Sequence, residues 1–531
     1  MISSAAELDG NVLTMCETSD HAQRHRPPGD DRPPVPISER QIRGTVNRLL
    51  LGGINTITSY YSFSGLSTEQ LRRLNEWIGR CGTMLKGGHQ IADIAVLYPV
   101  HSVWPRFQPA RVGPSHAPKA VTVQRVFEQA TDTLYNARRD FTFVDAQTLS
   151  ASTAAAGTLR FRDCAWRVLV LPCVDTLPVA AWEGIERFWQ SGGAVIALNA
   201  LPSNSSTRFP DPAIADLATR IFGREGGIRA VGQPNGGLGI YLPGGTEALL
   251  ATILESVLEP DVAVKPADAP IRVTHRRIDG RDVYFLINDS SKETAADVRF
   301  AAMGSGTLWD PASGTSKAMD GAASSLHLRP YGARLVSFDR TRARQRYAAD
   351  VTTIPRLATA PLATLPPTEG HGKFVAAQLV PATVGHGVNT WRATGTLTKG
   401  AVDTHLFVSF RSDDLLDLSA AEALRFETSI PAGQKTPAQL LVMLHERGGA
   451  IYLARTGRSL AGDEHATSYV PWSSLELAGW SKDADGDLDR SQVESISIGW
   501  GGYFGTEKEQ VTFTVSQPQA VRIETGARSS R

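Results

Sequence analysis

A glutamate near the start of the chain has the residue type and position for acid–base or nucleophilic chemistry. Residues 11–17 (NVLTMCE) predict a short buried β-strand that ends at Glu17. A carboxylate at the end of a strand can transfer a proton or attack a carbon atom. The polar residues that follow, including Asp20 and His21, leave a second interpretation, in which Glu17 is a surface carboxylate in a loop.

A cysteine occupies a second position with catalytic precedent. Cys173 directly follows the predicted strand 166–172 (WRVLVLP), where amidotransferases and related hydrolases carry a nucleophile in a G-x-C-x-G turn. The flanking residues are Pro172 and Val174, and no matching histidine is found, so the sequence favours a buried structural cysteine. None of the four cysteines forms a CxxC pair, so neither a zinc site nor a disulfide framework is indicated.

A run of alternating aspartates resembles a cation-binding loop. Asp483, Asp485 and Asp487 are the candidate metal ligands in SKDADGDLD, and Ca²⁺ is the cofactor that such carboxylates favour. The glycine stands at the fourth position of the run, whereas a Ca²⁺ loop needs it at the sixth. The sequence leaves both interpretations open and favours a solvated turn.

Aromatic residues are concentrated in the last part of the chain. They are Trp391, Trp472, Trp480, Trp500 and Tyr503. Aromatic faces stack on the apolar C–H faces of sugar rings, so exposed members of this group would form a carbohydrate platform, and buried members would be core. Trp500, Tyr503 and Trp391 are the candidate carbohydrate-binding residues.

Bulk properties limit the classes of function. The chain has 531 residues and a formal net charge of +0. This length predicts several domains, and the balanced charge argues against nucleic acid as the main partner. No apolar stretch long enough for a transmembrane helix is present, and the first residues lack the pattern of a signal peptide. The compartment stays open.

Helix and strand signals alternate in the first part of the chain. Ser38 with Gln41, and Ser67 with Gln70, predict two capping boxes that begin helices. A strand over 54–61 (INTITSYY) lies between these helices, which gives the β-α-β-α order of a parallel α/β fold.

The fold class is multidomain α/β plus all-β, with a partial (β/α) barrel, a doubly wound α/β domain and two β-sandwich domains. Apolar strands at 91–99, 166–172 and 194–199 imply a sheet covered on both faces. Asp279-Gly280 predicts a hairpin turn. The predicted segments are 1–91 (barrel end), 92–227 (doubly wound domain), 228–339 (β-sandwich), 340–371 (linker) and 372–522 (jelly roll).

Short motifs in residues 1–340 resemble a known family of enzymes. SSAAELDGNVLTMCET, LGGINTITSYYSF and GGHQIADIAVLYPVHSVWP are similar to the late barrel region of bacterial α-L-rhamnosidase-like glycoside hydrolases. In that family "ADV-VLYP" starts a glutamine-amidotransferase-like domain, and DVYFLIND and LWDPASG resemble the sandwich that follows. The last domain weakly resembles sugar-binding jelly rolls.

The resemblance implies roles for specific residues of this sequence. Glu17 falls on the family's strand-end carboxylate and Asn55 on the asparagine of the next strand, whereas Tyr60 and Tyr61 stand where the family often has histidine. Asn55, Tyr60, Tyr61 and His21 are therefore the candidate substrate-binding residues, and the departure leaves the identity of the sugar open.

The glycoside hydrolysis that the resemblance implies needs more β/α units of a barrel than this sequence contains. Glycoside hydrolysis uses two carboxyl groups, and the partner of Glu17 should come from an earlier strand. A barrel takes roughly 200–250 residues, and about 90 are present here, so a truncated product, a mis-called start and a degenerate relative remain alternatives.

Two functions follow as expectations. The first is a glycoside hydrolase, or its C-terminal portion, acting on plant or bacterial polysaccharide. The second is a non-catalytic carbohydrate-binding or scaffold protein derived from such an enzyme. Both predict an oligo- or polysaccharide partner, with no nucleic acid or membrane, and the doubly wound domain is interpreted as a scaffold or homo-oligomerisation module. Relatives act outside the cytoplasm.

Overall fold

The computed structural model describes residues 1–20, 36–107, 117–224, 228–340, 356–382, 389–462, 465–483 and 486–524. The chain forms two compact units. Unit 1 comprises Met1–Tyr241 and Leu254–Val351, and unit 2 comprises Leu242–Ile253 and Thr352–Arg531. Within the described ranges, none of the helices combines the length and the apolar character needed to cross a lipid bilayer.

Unit 1 begins with a parallel strand pair and its connecting helices. The elements are α1 (Ile2–Asp9), β1 (Met15–Ser19), α2 (Glu39–Leu51), β2 (Thr56–Tyr60), α3 (Thr68–Leu85) and β3 (His89–Gln90). Strands β1 and β2 form a two-stranded parallel sheet. Both predicted capping boxes are present, at Ser38 and Ser67, so these local signals set where the two helices begin.

Helices α2 and α3 lie in one apolar cluster with a later sheet of the same unit. Val46 and Trp77, each 1% exposed, share that cluster with Phe285 and Leu335 of the later sheet and with Tyr61. Arg48 Nε donates to Asp289 Oδ1 at 2.7 Å, and Asn47 Nδ2 donates to the Tyr331 carbonyl at 2.9 Å. The helices are therefore fixed by contacts far from them in sequence.

A larger α/β section follows. Its elements are β4 (Ile94–Leu97), α4 (Val100–Val103), α5 (Pro118–Asn136), β5 (Phe141–Val144), α6 (Ala146–Ala151), β6 (Thr153–Ala155), β7 (Thr158–Phe161), β8 (Cys164–Trp166), β9 (Val168–Pro172), β10 (Thr176–Leu177), α7 (Val179–Gln190), β11 (Ala194–Asn199), β12 (Asn204–Ser205), α8 (Pro212–Phe222), β13 (Arg229–Gly232), β14 (Leu238–Pro243) and α9 (Leu250–Val257).

The central sheet of this section has the order β13-β14-β11-β9-β4-β5. Strands β11, β9, β4 and β5 are parallel neighbours. Every residue of β4 and β9 is buried, as expected for parallel strands covered on both faces. The chain order reverses between β9 and β4, and such a switch point leaves a crevice at the carboxyl ends of the strands.

The rest of unit 1 is all-β. Its strands are β15 (Val262–Lys265), β16 (Ile271–Ile278), β17 (Arg281–Asn288), β18 (Thr294–Phe300), β19 (Met303–Asp310), β20 (Thr315–Met319), β21 (Ala323–Leu328) and β22 (Ala333–Arg340). They form a three-stranded sheet, β15-β18-β21, and a six-stranded sheet, β20-β19-β22-β17-β16-β3. The predicted hairpin at Asp279-Gly280 is confirmed, because both residues have positive φ and connect β16 to β17.

Unit 2 contains two packed sheets. Its strands are β23 (Arg356–Pro361), β24 (Thr368–His371), β25 (Val375–Ala382), β26 (Thr390–Leu397), β27 (Thr404–Leu416), β28 (Ala423–Ser429), β29 (Gln434–Glu446), β30 (Ile451–Gly462), β31 (His465–Pro471), β32 (Glu476–Leu477), β33 (Val493–Tyr503), β34 (Gln510–Ser516) and β35 (Gln519–Glu524). One sheet has the order β23-β35-β28-β34-β26-β25, with β31 paired to β28, and the other has the order β24-β27-β33-β29-β30-β32.

A group of acidic residues joins the α/β section to the sandwich inside unit 1. Asp140 Oδ2 accepts hydrogen bonds from the Thr274 hydroxyl at 3.0 Å and from the His275 backbone N–H at 2.7 Å. The imidazole Nδ1 of His275 lies 2.7 Å from Asp261 Oδ2. Loss of hydration, reinforced by the Asp261 charge, raises the pKa of Asp140 from 3.8 to about 7.

The raised pKa of Asp140 predicts a pH-dependent stability. A carboxyl group that binds its proton more tightly in the folded state stabilises that state most below pH 3.8, and this contribution is lost as pH rises towards 7. Asp140→Asn keeps an acceptor oxygen for Thr274 and His275. We expect it to remove up to about 1.4 kcal/mol per pH unit from the slope of the free energy of unfolding between pH 4 and 7.

Urea unfolding at a series of pH values measures this slope. The exposed Asp163→Asn variant controls for the loss of one charge. An unchanged slope in Asp140→Asn would contradict the assignment of the proton to Asp140.

Candidate functional site

The strand pair of unit 1 has a helix-facing side and an opposite, open side. The register pairs Met15 with Thr56, Glu17 with Thr58 and Ser19 with Tyr60. Ile57 of β2 packs against the cluster that contains α2 and α3. Because neighbouring residues of a strand point to opposite faces, the paired residues of the register lie on the side away from the helices.

Glu17 lies on the open side and is exposed. It is the middle residue of β1, so the prediction that the strand ends at Glu17 is wrong: the strand continues to Ser19, because pairing with β2 extends to Ser19–Tyr60. Among the described residues of β1 and β2, Glu17 is the only carboxylate on this face. The side away from the helices is the one that lines the interior in a (β/α) barrel.

Asp20 directly follows Ser19, the last residue of β1. It is 2% exposed, and its Oδ2 accepts hydrogen bonds from the Ser62 hydroxyl at 2.7 Å and the Ser62 N–H at 3.1 Å. These bonds tie the carboxyl ends of the two strands together. Sequence reasoning placed Asp20 in a polar loop and missed this role; the serine-rich stretch directly after β2 was the available signal.

Tyr60 and Tyr61 point to opposite faces. Tyr60 is 56% exposed on the open side, next to the Ser19 position. Tyr61 is 7% exposed in the helix cluster, with its ring 5.7 Å from that of Phe63. The prediction that Tyr61 contacts substrate is therefore corrected, because its side chain is part of the core.

Asn55 connects the start of β2 to the residues before β1. Its Nδ2 donates to the Val12 carbonyl at 2.6 Å, and its Oδ1 accepts from the Thr14 N–H at 3.1 Å. Both ends of the amide are thus used by the backbone, and the structure gives Asn55 an anchoring role. His21 lies outside the described residues.

A cavity of about 400 Å³ lies elsewhere in unit 1. Its lining includes Ser4 and Leu8 of α1, Tyr98, Phe143 and Asp145, and it contains neither Glu17 nor Tyr60. The open face of the strand pair and this cavity are therefore separate features.

The switch point of the large sheet is closed by side chains of the protein. Cys173 directly follows β9, has φ +54° and is 7% exposed. Arg106 donates to the Asp175 carboxylate through both terminal guanidinium nitrogens, Nη1 and Nη2, and Ser102 Oγ accepts from the Asp175 N–H at 3.1 Å. The backbone at Cys173 is strained, but the polar groups beside it bond to one another, which fits the structural role favoured by the sequence.

Within the aspartate run of unit 2, Asp485 lies outside the described residues. Asp483 accepts a hydrogen bond from the Tyr452 hydroxyl, and Asp487 is exposed. Among the residues that the structure describes, no group of three or more His, Cys, Asp or Glu side chains could hold a metal ion. The Ca²⁺ loop stays a prediction.

The predicted aromatic platform needs correction. Trp500 is 0% exposed in the core of unit 2, because the alternation of β33 places it in line with Ile496 and Ile498. Trp391 and Tyr503 are half-buried against the same core, and the Tyr503 hydroxyl donates to Glu509 at 2.7 Å. Of the five aromatic residues singled out by the sequence, Trp480 is the exposed one, at 69%.

Sequence comparison identifies the family of the chain. A family model described as α-L-rhamnosidase matches residues 53–321, which is just over half of the chain. The chain belongs to this α-L-rhamnosidase family, which confirms the resemblance found in its motifs. The match includes β2 with Tyr60 and begins after Glu17. No curated protein matches the sequence.

Several solved structures are similar at low identity. A rhamnosidase from Novosphingobium sp. PP1Y is 12% identical, with a TM-score of 0.44, and the match covers 97% of this chain and 48% of that one. The chain thus spans about half the length of that rhamnosidase. A β-galactosidase from Bacillus circulans sp. alkalophilus is 14% identical, with 56% and 52% covered and a TM-score of 0.42.

The family 11 carbohydrate-binding module of a cellulosomal cellulase from Clostridium thermocellum is 14% identical, with a TM-score of 0.25, and the match covers 33% of this chain and 98% of the module. The TM-scores of all three structures are too low to support an argument, so family membership rests on the sequence match.

The adjacent tyrosines provide a matched test of the two faces. Tyr61→Ala should lower the free energy of unfolding by on the order of 3 kcal/mol, because it empties a buried aromatic site. Tyr60→Ala should change it by about 0.5 kcal/mol or less, because the side chain is exposed. Chemical denaturation measures both values, and the reverse order would show that the faces are wrongly assigned.

Proposed function

We propose that the chain is part of a glycosidase that hydrolyses α-L-rhamnosyl bonds in plant or bacterial polysaccharide, with Glu17 as one of its two catalytic carboxylates. The observation that carries the proposal is the position of Glu17 on the open face of a parallel strand pair, next to the segment that matches the family. In a (β/α) barrel, residues near the carboxyl ends of the strands line the active site.

The residues around Glu17 suit a sugar-facing role. Thr58 lies directly across from Glu17, and Tyr60 is further along the same face with its ring exposed. A carboxylate with a neighbouring hydroxyl and an aromatic ring combines a charged group with hydrogen-bonding and stacking partners for a sugar ring. Glu17 would act as nucleophile or general base, and an acid from another strand would protonate the leaving oxygen.

The remaining sections have supporting roles in this proposal. The sheet β13-β14-β11-β9-β4-β5 corresponds to the glutamine-amidotransferase-like domain that the motif resemblance implies. We infer that it is a scaffold or oligomerisation module, since the groups at its switch point bond to one another. The alternative function is a non-catalytic carbohydrate-binding protein, which is favoured by the presence of a single carboxylate on the open strand face.

Replacing Glu17 by glutamine tests the catalytic assignment. If the purified chain cleaves an aryl α-L-rhamnoside, Glu17→Gln should lower kcat/KM by at least about 10³-fold, because the variant loses the charge needed for nucleophilic or base catalysis while keeping the shape. Glu183→Gln on α7 removes another exposed glutamate and is the matched control, with unchanged activity expected.

The two proposed functions give different results. Cleavage that persists undiminished in Glu17→Gln excludes Glu17 as a catalytic group. A complete lack of cleavage by the folded wild-type chain, together with binding to the same rhamnosides, supports the non-catalytic alternative.

A further inference from the structure

The cavity of about 400 Å³ in unit 1 lies beside the carboxyl ends of two neighbouring parallel strands. Tyr98 directly follows β4, Asp145 directly follows β5, and the Tyr98 N–H donates to the Val144 carbonyl at 2.8 Å. Helix α1 lines another side, where Ser4 Oγ accepts from the Phe143 N–H at 3.0 Å. Ligands of open α/β sheets bind outside the carboxyl ends of the strands, in pockets of about 300–1,000 Å³.

Aromatic rings form one wall of this cavity. The Tyr98 ring lies 5.5 Å from the ring of Phe127 on α5, edge to face, and the Phe143 ring lies 5.3 Å from the same Phe127 ring. Tyr98 is 40% exposed and Phe143 is half-buried, so both are accessible to a ligand. Phe161 and Leu8, also half-buried, complete the apolar part of the lining. Because Phe127 fixes two of the rings, the wall is preformed.

Polar side chains of the lining keep hydrogen-bonding capacity for a ligand. Asp145 Oδ1 accepts from the Thr148 N–H at 2.7 Å, which caps α6 and fixes the carboxylate, while no described residue bonds to Oδ2. Gln147 and Arg162 are exposed, and within the described part of the chain their side chains have no hydrogen-bond or ion-pair partner. With the Tyr98 hydroxyl, the lining supplies both donors and acceptors.

The switch point of the same sheet is different in this respect. There, Arg106 and Ser102 bond to Asp175, so the polar groups satisfy one another. In the cavity, polar groups with unused capacity lie beside an accessible aromatic wall, which is the composition of a small-molecule site. The cavity is therefore the better place in this α/β section to look for a ligand.

The side-chain charges of the lining argue for a neutral ligand. Asp9 and Asp145 are negative, Arg162 is positive, and all three side chains are exposed. An anionic ligand would face two carboxylates, and a cationic ligand would face the guanidinium group. A neutral molecule with several hydroxyl groups can bond to both. A sugar ring has these hydroxyls at its edges, and its apolar C–H faces stack on aromatic rings.

We propose that this cavity is a non-catalytic binding site for a neutral sugar, and that the sugar is an α-L-rhamnosyl unit. The choice of rhamnosyl rests on the proposed function, whereas the choice of a neutral sugar rests on the lining. The C–H face of the ring contacts Tyr98 and Phe143, and its hydroxyls bond to Asp145 and Gln147. The cavity does not contain Glu17, so the sugar is held there without being cleaved.

Isothermal titration calorimetry of the full chain, in a Glu17→Gln background that prevents turnover, tests the site. Methyl α-L-rhamnoside should bind more tightly than anionic galacturonate or cationic glucosamine. Tyr98→Ala should weaken its binding about tenfold, because the stacking face is lost. Gln147→Ala should weaken it about three- to tenfold, because one hydrogen-bonding partner is lost. Trp480→Ala, which removes an exposed aromatic residue of unit 2, is the matched control and should bind like the parent.

A cavity-filling variant gives an independent test. Ala151→Trp places a large side chain in the lining and should abolish binding, while the urea midpoint stays close to that of the parent because Ala151 is exposed. Full affinity in both Tyr98→Ala and Ala151→Trp would overturn the proposal. So would an absence of binding by all three probes, or binding of galacturonate or glucosamine at least as tight as that of the rhamnoside.

Two further outcomes separate this site from the proposed active site. Binding that Tyr60→Ala abolishes and Tyr98→Ala leaves intact would place the sugar on the open strand face and overturn the cavity site. A wild-type chain that cleaves no aryl α-L-rhamnoside, yet binds methyl α-L-rhamnoside in a manner that depends on Tyr98, would contradict the catalytic proposal and support the cavity site.

Discussion

The apolar cluster around helices α2 and α3 is the interaction on which the strand pair of unit 1 depends. A two-stranded sheet is at best marginally stable by itself, and within the part of the chain that the structure describes, β1 and β2 pair only with each other. Their support comes from helices that pack on Phe285 and Leu335 of the sandwich sheet, so the strand that carries Glu17 is fixed by residues about 270 or more positions away along the chain. The bonds from Asn47 and Arg48 add directional contacts to this packing.

This dependence explains which features were predictable from sequence. The capping boxes at Ser38 and Ser67 and the hairpin at Asp279-Gly280 are local, since a few neighbouring residues contain the whole hydrogen-bonding or dihedral requirement. The parallel strands β4 and β9 were also predictable, because burial on both faces leaves continuous apolar runs. In each of these cases, a short run of consecutive residues contains the interaction that decides the local structure.

The candidate site was less predictable, because tertiary contacts decide on which face of a strand each side chain is exposed. Tyr60 and Tyr61 are chemically identical neighbours, and only the position of the helix cluster makes one exposed and the other core. The end of β1 was placed two residues early, because the pairing of Ser19 with Tyr60 is not visible in either segment alone. Asn55 matched a family position, yet its amide is used by Val12 and Thr14 of the same chain.

The prediction that Trp500 is a sugar platform failed for a different reason. This reason shows how the sequence of a β-sandwich should be interpreted. Residue type favoured Trp500 as a sugar platform, whereas the period of two in ESISIGW places it with Ile496 and Ile498 inside the sheet. The same period points Ser495, Ser497 and Gly499 outward. Strand β33 therefore has a large aromatic residue in the core and small residues on its opposite face. In such a sheet, the alternation along the strand, and not the residue type, decides which side chains enter the core.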